Sequence, residues 1–119
     1  MNLTLASMEN LHHLNHDLVF NASPMGASRE PLPPELKRVL PGSKVVFDAV
    51  YRPRETELLA EAKRNGSVVV FGEEMLLHQG MAAVKAWTGK EAPEKVMREA
   101  LESALEVDGK KGKGGRAKR

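Results

Sequence analysis

Three short apolar runs, each separated from the next by a helix-like stretch, constrain the fold of this chain most strongly. The runs are LVFNA (residues 18–22), KVVFDAV (44–50) and SVVVF (67–71), and they are rich in valine and phenylalanine, which favour β-strands. Their apolar residues are continuous rather than alternating, a pattern typical of strands that are covered on both faces. The runs therefore predict three buried strands.

Two helices are predicted between these strands. The first is PELKRVL (residues 34–40), which begins with a proline suited to a first helical position. The second is ETELLAEAKRNG (55–66), which carries an apolar face and ends in an Asn-Gly stop signal. Because strands that alternate with helices pair in parallel through right-handed crossovers, the chain is predicted to form an α/β fold with an open, doubly wound parallel sheet.

The remaining segments give weaker patterns. The head predicts a short strand at residues 3–5 and a helical turn that begins near Ser7. Residues 75–89 carry one charge, Lys85, so this helix is expected to pack against other protein on most sides. A last helix is predicted from Pro93 to about Val107, with one apolar stripe.

Basic charge is concentrated at the carboxyl terminus. Residues 109–119 hold six of the eighteen Lys and Arg and none of the sixteen acidic residues, so residues 1–108 have a net charge of −4. A lysine run interrupted by glycine cannot bury enough apolar surface to become ordered, and we predict one domain over residues 1–108 and a disordered basic tail. The acidic body does not favour nucleic-acid binding, although a basic-tailed nucleic-acid adaptor stays an alternative.

Several classes of protein are excluded by what the sequence lacks. It has no cysteine, so it forms no disulfide or thiolate zinc site, which fits a reducing compartment. No apolar run approaches the roughly 20 residues that span a bilayer, and no secretory signal is recognisable. We therefore expect a soluble, cytoplasmic protein. The four histidines, including His12 and His16 at a spacing of four, lack a carboxylate-rich partner motif, and no metal site is predicted.

The residues that follow the three predicted strands indicate where a ligand would bind. In a parallel sheet the carboxyl ends of all strands line one edge, and ligands of open α/β sheets bind beyond that edge. NASPMG (residues 21–26) follows the first strand, DAVY (48–51) the second, and Gly72 the third, leading on to Met75 and Gln79. The pattern predicts one site at this edge.

Each of these segments also has a purely structural explanation. Residues 21–26 fit an ordinary turn, because Asn, Ser, Pro and Gly are common turn formers. Asp48 fits a cap on a backbone amide, and Tyr51 fits a rim aromatic with its hydroxyl group in water. Gln79 fits a buried amide whose partners are backbone groups. The residues alone leave both interpretations open.

Three segments together resemble a known family. DLVFNASPMG, VVFDAVYRPRETELLAEAKRNG and FGEEMLLHQGMAAVKAWTG are similar, in order and spacing, to the carboxyl-terminal part of shikimate dehydrogenase, the NADP-dependent enzyme of aromatic amino-acid biosynthesis. The resemblance covers about residues 15–105. It implies a Rossmann-like sheet of which this chain is the incomplete second half, followed by helices, with NADP as cofactor. The implied reaction is the reversible reduction of 3-dehydroshikimate to shikimate.

The resemblance also implies roles for individual residues. Two side chains match family residues that reach the hydroxyl groups or carboxylate of the substrate: Tyr51 and Gln79. Five residues match positions near the nicotinamide, through backbone or, for the methionine, through packing on the ring: Ala22, Ser23, Ala49, Gly72 and Met75. Such contacts would align the reactants, and alignment can supply several kcal/mol of a barrier.

Much of the family pattern has no counterpart here. Missing are the glycine-rich turn for the pyrophosphate, the Asn-Arg-Thr type segment for the 2′-phosphate and the amino-terminal domain with the catalytic lysine and aspartate. Lys85 is not taken to replace that lysine, so no catalytic residue is assigned. Glu74 stands where many family members have a second glycine. The sequence does not distinguish NAD from NADP or shikimate from quinate.

Two explanations fit this partial pattern. The chain is either a fragment or split-gene product whose partner supplies the first half, or a stand-alone binding relic without catalysis. In both cases an unpaired strand edge beside an apolar face predicts self-association of the isolated chain.

Overall fold

A computed structural model describes residues 1–114 of the 119-residue chain. The chain divides into two compact units, the first Met1–Gly72 and the second beginning at Glu73. Within the described residues no helix is long and apolar enough to cross a membrane, and no group of three or more His, Asp or Glu could hold a metal ion.

The first unit contains a three-stranded parallel sheet in the order β1-β2-β3, as the alternation of strands and helices predicts. Its strands are β1 (Leu18–Asn21), β2 (Val45–Asp48) and β3 (Val68–Val70). Its helices are a short 3-10 helix (Met8–His13), α1 (Pro34–Val39) and α2 (Glu57–Arg64). The α/β class and the Rossmann-like parallel arrangement are confirmed.

One face of the sheet carries the core. Val46, at the centre of β2, is fully buried with Leu40 and with Leu58 and Leu59 of α2. Val19 and Val69, which pair with Val46 in register, pack against this cluster from the two neighbouring strands. Burial of this row of valines against the leucines is the main hydrophobic stabilisation of the unit.

The other face of the sheet is not covered as the continuous apolar runs predicted. Leu18, Phe20 and Val68 are 57%, 47% and 64% exposed, and the ring of Phe20 stacks on that of Phe47 at 4.5 Å. The prediction of coverage on both faces is wrong for this chain, and topology explains why. Leucines of α1 and α2 pack with Val46 on one face of the sheet. This is the result expected when two crossovers of the usual right hand advance in the same direction, and it leaves no helix of residues 1–72 for the other face.

The second unit consists of two helices. Helix α3 spans Gly72–Thr88, its first residue belonging to the first unit, and α4 spans Glu94–Gly114. They approach closely at Gly80, where an added Cβ would lie 3.4 Å from the Met97 side chain. Arg98 of α4 binds both Glu74 and Glu94, and these hydrogen bonds, Glu74 first, raise the pKa of Arg98 above its ordinary value.

Helix α3 is less buried than its composition predicts. Trp87 is 83% exposed and Lys85 is exposed, with its ammonium group 2.6 Å from a carboxylate oxygen of Glu91. Within the described residues, this helix is therefore not packed on most sides, and Lys85 lies at its surface. An apolar composition predicts that a helix has packing partners on most sides, but the described residues of this chain do not contact it on every side.

The chain termini also differ from expectation. The helical turn predicted near Ser7 is confirmed, since Ser7 precedes the 3-10 helix, but residues 3–5 form no strand. Helix α4 extends past the predicted end near Val107, and residues 109–114 of the predicted disordered tail continue it. Adding a residue to a formed helix is far easier than nucleating one, which explains the longer helix. Residues 115–119 of that tail lie outside the described residues.

Candidate functional site

The carboxyl ends of the first two strands are joined directly through their side chains. Asn21 ends β1 and Asp48 ends β2, and the two residues are partners in the parallel register. The Asn21 side-chain amide donates a hydrogen bond of 3.0 Å to Oδ1 of Asp48. The edge at which the sequence predicts a site therefore contains a fixed polar link between neighbouring strands.

Asp48 is the centre of a buried hydrogen-bond network. Its side chain is fully buried, and Oδ1 also accepts the backbone N–H of Val50 at 3.0 Å. Oδ2 accepts the hydroxyl group of Thr56 at 2.6 Å. A buried carboxylate is tolerated when several donors replace its hydration, and Asp48 has three. The structural interpretation, in which Asp48 caps a backbone amide, is confirmed in geometry and extended by two side-chain donors.

Asn21 holds the turn that follows β1. Its amide nitrogen also donates to the backbone carbonyl of Met25 at 3.0 Å. Its oxygen accepts both the backbone N–H and the hydroxyl group of Ser23, at 3.1 and 2.6 Å. The NASPMG segment is thus an ordered turn tied to its own strand, as turn-forming residues predict. Ala22 and Ser23 remain exposed at its outer side.

Thr56 connects the same network to α2. It is the residue that precedes the helix, and its hydroxyl oxygen accepts the backbone N–H of Leu59 while donating its own proton to Asp48. Such an N-cap satisfies one of the free amides at a helix start. One buried carboxylate therefore fixes the β1 turn, the segment after β2 and the start of α2 relative to one another.

Gly72 follows β3 at a point of very close backbone approach. A Cβ atom added there would lie 2.6 Å from the carbonyl oxygen of Ala49 and 2.7 Å from that of Val50. No side chain fits at these distances, so only glycine lets the end of β3 approach the Ala49–Val50 backbone. The structure thereby brings together two residues, Ala49 and Gly72, that the sequence assigns to one site.

Tyr51 lies just beyond β2, three residues after Asp48. It is half-buried, and the guanidinium carbon of Arg52 lies 5.7 Å from its ring centroid. The Arg52-Pro53 peptide bond that follows is cis. The guanidinium carbon of Arg54 lies 4.1 Å from the ring centroid of Phe71, the residue that precedes Gly72. The half-buried position fits both a rim aromatic and a ligand contact.

Met75 and Gln79 belong to the second unit. They are separated by four residues on α3 and are both exposed there, Met75 by 36%. This spacing places them on one face of the helix. The alternative in which Gln79 is a buried amide satisfied by backbone groups is therefore wrong.

Sequence reasoning did not identify Thr56 or the link between Asn21 and Asp48. The cap had a recognisable signal, because a threonine stands directly before the Glu-Leu-Leu start of a helix. The link between strand ends depends on register, which single-strand patterns do not reveal. Within the described residues, every buried side-chain nitrogen or oxygen atom has a hydrogen-bond partner.

Comparison with known proteins matches this fold and these segments to one family. Residues 72–102 match the family model described as the Shikimate 5'-dehydrogenase C-terminal domain. A shikimate dehydrogenase (NADP(+)) from Archaeoglobus fulgidus is 48% identical over 93 residues, which are 75% of this chain and 34% of the relative. The chain is homologous to the carboxyl-terminal part of shikimate dehydrogenases. It spans about a third of the length of such relatives.

Solved structures support the same relationship to shikimate dehydrogenases. The enzyme from Listeria monocytogenes, solved with shikimate and NAD, superposes with a TM-score of 0.69 at 32% identity, over 79% of this chain and 34% of that one. A quinate dehydrogenase from Corynebacterium glutamicum, solved with NAD, gives a TM-score of 0.65 at 36% identity, over 73% and 31%. The fold and sequence match these dehydrogenases of different substrates almost equally well.

Proposed function

We propose that this chain contributes the nicotinamide and substrate contacts of a shikimate dehydrogenase, for the reversible NADP-dependent reduction of 3-dehydroshikimate to shikimate. The observation that carries the proposal is the edge at the carboxyl ends of β1 and β2, where one buried network centred on Asp48 fixes the segments that lead to the assigned residues. Ligands of open α/β sheets bind at such an edge.

The residues present fit the nicotinamide end of a dinucleotide. Ala22 and Ser23 expose a short turn after β1, and the close approach of Gly72 brings two backbone segments together at Ala49. Met75 offers an exposed, polarisable thioether of the kind that packs well on a flat ring. When bound, NADP would supply or accept the hydride; this chain would orient its nicotinamide end.

The two assigned substrate residues carry complementary polar groups. The Tyr51 hydroxyl group both donates and accepts a hydrogen bond, and the Gln79 amide offers two donors and an acceptor oxygen. Each of these groups suits a ligand that bears several hydroxyl groups and a carboxylate. Their part in the reaction would be to bind and align the substrate rather than to transfer a proton.

Proton transfer would have to come from outside this chain. We assign no catalytic residue, and Lys85, which is exposed and paired with Glu91, is not proposed as the acid or base. Residues 1–108 would act as the ligand-contacting part of the dehydrogenase, alongside a segment equivalent to the amino-terminal part of its relatives. The alternative of a binding relic without catalysis differs in having no such partner.

The proposal predicts that the purified chain does not reduce NADP with shikimate, as followed by absorbance at 340 nm. Joined in one chain to the part of the Archaeoglobus fulgidus relative that precedes the matched 93 residues, it should become active. In that fusion, Tyr51→Phe and Gln79→Ala should each lower kcat/KM by roughly 10- to 100-fold, because each loses a polar contact to the substrate.

The neighbouring variant His78→Ala is the matched control for Gln79→Ala, since His78 is also exposed on α3 and has no assigned role in ligand binding. Its imidazole lies 3.7 Å from the carboxylate of Glu74 on the same helix. It should leave kcat/KM within about twofold of the unmodified fusion. Turnover by the unjoined chain, or equal effects of the His78 and Gln79 variants, would contradict the proposal.

A further inference from the structure

A polar cleft lies at the amino ends of β1 and β2, opposite the proposed cofactor site. Its volume is about 290 Å³, and the two segments that precede these strands line it. His12, Asn15 and His16 come from the segment before β1, and the end of α1 with Gly42 comes from the segment before β2. Ligands of open α/β sheets bind at the carboxyl ends of the strands, so this cleft is separate from the proposed dehydrogenase site.

The side chains of the cleft favour a negatively charged ligand. The described residues that line it include no carboxylate, and its ionisable side chains are all of the basic type: His12, His16 and Arg38. Asn15 adds an amide that can donate two hydrogen bonds. Asp17, the acidic residue next to His16 in sequence, is paired with Lys44 at 2.9 Å. A concave surface with one sign of charge attracts ligands of the opposite sign.

His16 is fixed in the wall of the cleft through both of its ring nitrogen atoms. Nε2 lies 2.7 Å from the hydroxyl oxygen of Ser43, which donates its own proton to the carbonyl group of Val39 at 3.0 Å. Nδ1 lies 3.2 Å from the carbonyl oxygen of Leu14. Because both nitrogen atoms face acceptors, only the doubly protonated, positively charged ring donates to both. In that form His16 adds positive charge to the wall and leaves the bonds to a ligand to other side chains.

Arg38 is the donor that has no partner within the fold. Its side chain is exposed and makes no hydrogen bond or ion pair with the described residues, whereas the ammonium group of Lys37 lies 3.6 Å from a carboxylate oxygen of Glu57. An arginine in the last turn of a helix can bind the final carbonyl groups. Here the carbonyl groups of the two residues that follow Arg38 accept the hydroxyl group and the N–H of Ser43 instead. Such a guanidinium group is suited to bind an oxyanion.

The size of the cleft and the placement of its donors limit the kind of oxyanion. Sites for drug-sized ligands typically have volumes of roughly 300–1,000 Å³, so this cleft suits a small molecule. Arg38 lines it from α1, and His12 and Asn15 line it from the segment before β1. A tetrahedral phosphate presents oxygen atoms to both sides at once, whereas one arginine already satisfies a planar carboxylate through two parallel bonds. A phosphate monoester also carries a charge of about −2, which Arg38 and protonated His16 would balance.

We propose that this cleft binds the phosphate monoester group of a small molecule, with Arg38, His12 and Asn15 as donors and His16 as a fixed positive charge. Donors that are exposed to water bind weakly, and we expect a Kd of roughly 1–10 mM for inorganic phosphate. Dinucleotide at about 0.1 mM would then leave the cleft mostly empty. The proposal depends on neither NADP nor shikimate, so it and the proposed function can fail independently.

The site is tested by titrating inorganic phosphate into the isotopically labelled full chain, at constant neutral pH and ionic strength, with NMR as the readout. The backbone amide signals of Asn15 and Gly42 and the side-chain N–H signal of Arg38 should shift together along one saturable curve. Glycerol phosphate should bind the same residues within about threefold of inorganic phosphate, because the monoester group supplies the recognised oxygen atoms. Acetate should bind at least about tenfold more weakly.

Variants of α1 separate a specific site from a general charge effect. Arg38→Ala should weaken phosphate binding at least about tenfold, and Arg38→Lys, which keeps the charge but loses the planar group, should weaken it about threefold. Lys37→Ala is the matched control, because it removes one positive charge from the same helix at a residue that does not line the cleft. It should change the Kd less than about twofold. Since Arg38 has no partner in the fold, its variants should melt within a few degrees of the unmodified chain.

Four results would overturn the proposed site. The first is the absence of saturable shifts at Asn15, Gly42 and Arg38. The second is equal weakening by Arg38→Ala and Lys37→Ala. The third is a set of shifts confined to residues 109–119, which would assign the binding to the basic tail. The fourth is acetate, or the phosphodiester groups of a short single-stranded oligonucleotide, binding the cleft as tightly as phosphate does.

Discussion

Asp48→Ala is expected to lower the free energy of unfolding of the first unit by about 3–5 kcal/mol, as measured by urea denaturation. The substitution leaves the Val50 amide, the Thr56 hydroxyl group and the Asn21 amide without their shared acceptor. Each of these donors is at least partly shielded from water, so the loss exceeds that of an ordinary surface bond. A small domain has little stability in reserve, and we expect this variant to be largely unfolded at 37 °C.

Asp17→Ala is the matched control for this prediction. Asp17 precedes β1, its side chain is 75% exposed, and it pairs with Lys44 at 2.9 Å. Loss of such an exposed ion pair should cost at most about 1 kcal/mol. If both aspartate variants unfold at the same urea concentration, Asp48 is not the structural centre of the edge.

Gly72→Ala is expected to destabilise the first unit by about 2–4 kcal/mol, because the new methyl group would overlap two backbone carbonyl groups. Backbone atoms cannot move aside as a flexible side chain can, so the end of β3 must shift away from Ala49. In the fusion with the relative's preceding part, the same shift should also reduce kcat/KM by at least about tenfold, since small displacements of positioning groups are costly.

Gly80→Ala provides the control within the same helix. The added methyl group would lie 3.4 Å from the flexible end of Met97, which can adjust, and alanine favours a helix interior over glycine by up to about 1 kcal/mol. This variant should be neutral or slightly stabilising in thermal unfolding. The account of Gly72 is contradicted if the two alanine variants have the same melting temperature.

The order of elements could be predicted from the sequence because its signals are local. Valine-rich runs, Pro34 at a helix start and the Asn-Gly stop after α2 each act within a few residues, and the structure confirms all three strands and the helices between them. The parallel arrangement followed from the alternation of strands and helices alone. The meeting of Ala49 and Gly72 also followed, since both lie at the carboxyl ends of neighbouring strands.

What the sequence did not reveal depends on partners distant along the chain. The exposure of Leu18 and Phe20 depends on which face of the sheet the crossover helices cover. A continuous apolar run is the same sequence pattern whether helices cover one face of the sheet or both, so it does not predict this exposure. The Asp48 network depends on strand register. For Gln79, an apolar helix predicted burial, but burial requires a neighbour, and composition does not say whether the chain contains one.

Hydrogen exchange of the fusion protein with and without saturating NADP+ tests the central claim most directly. We expect slower exchange in peptides that cover residues 21–26, 48–51 and 72–79, which follow the carboxyl ends of the three strands. Peptides that cover residues 41–45 and 64–68, at the amino ends of β2 and β3, should be unchanged. Protection confined to the amino ends, or none in any of the three carboxyl-end segments, would contradict the account.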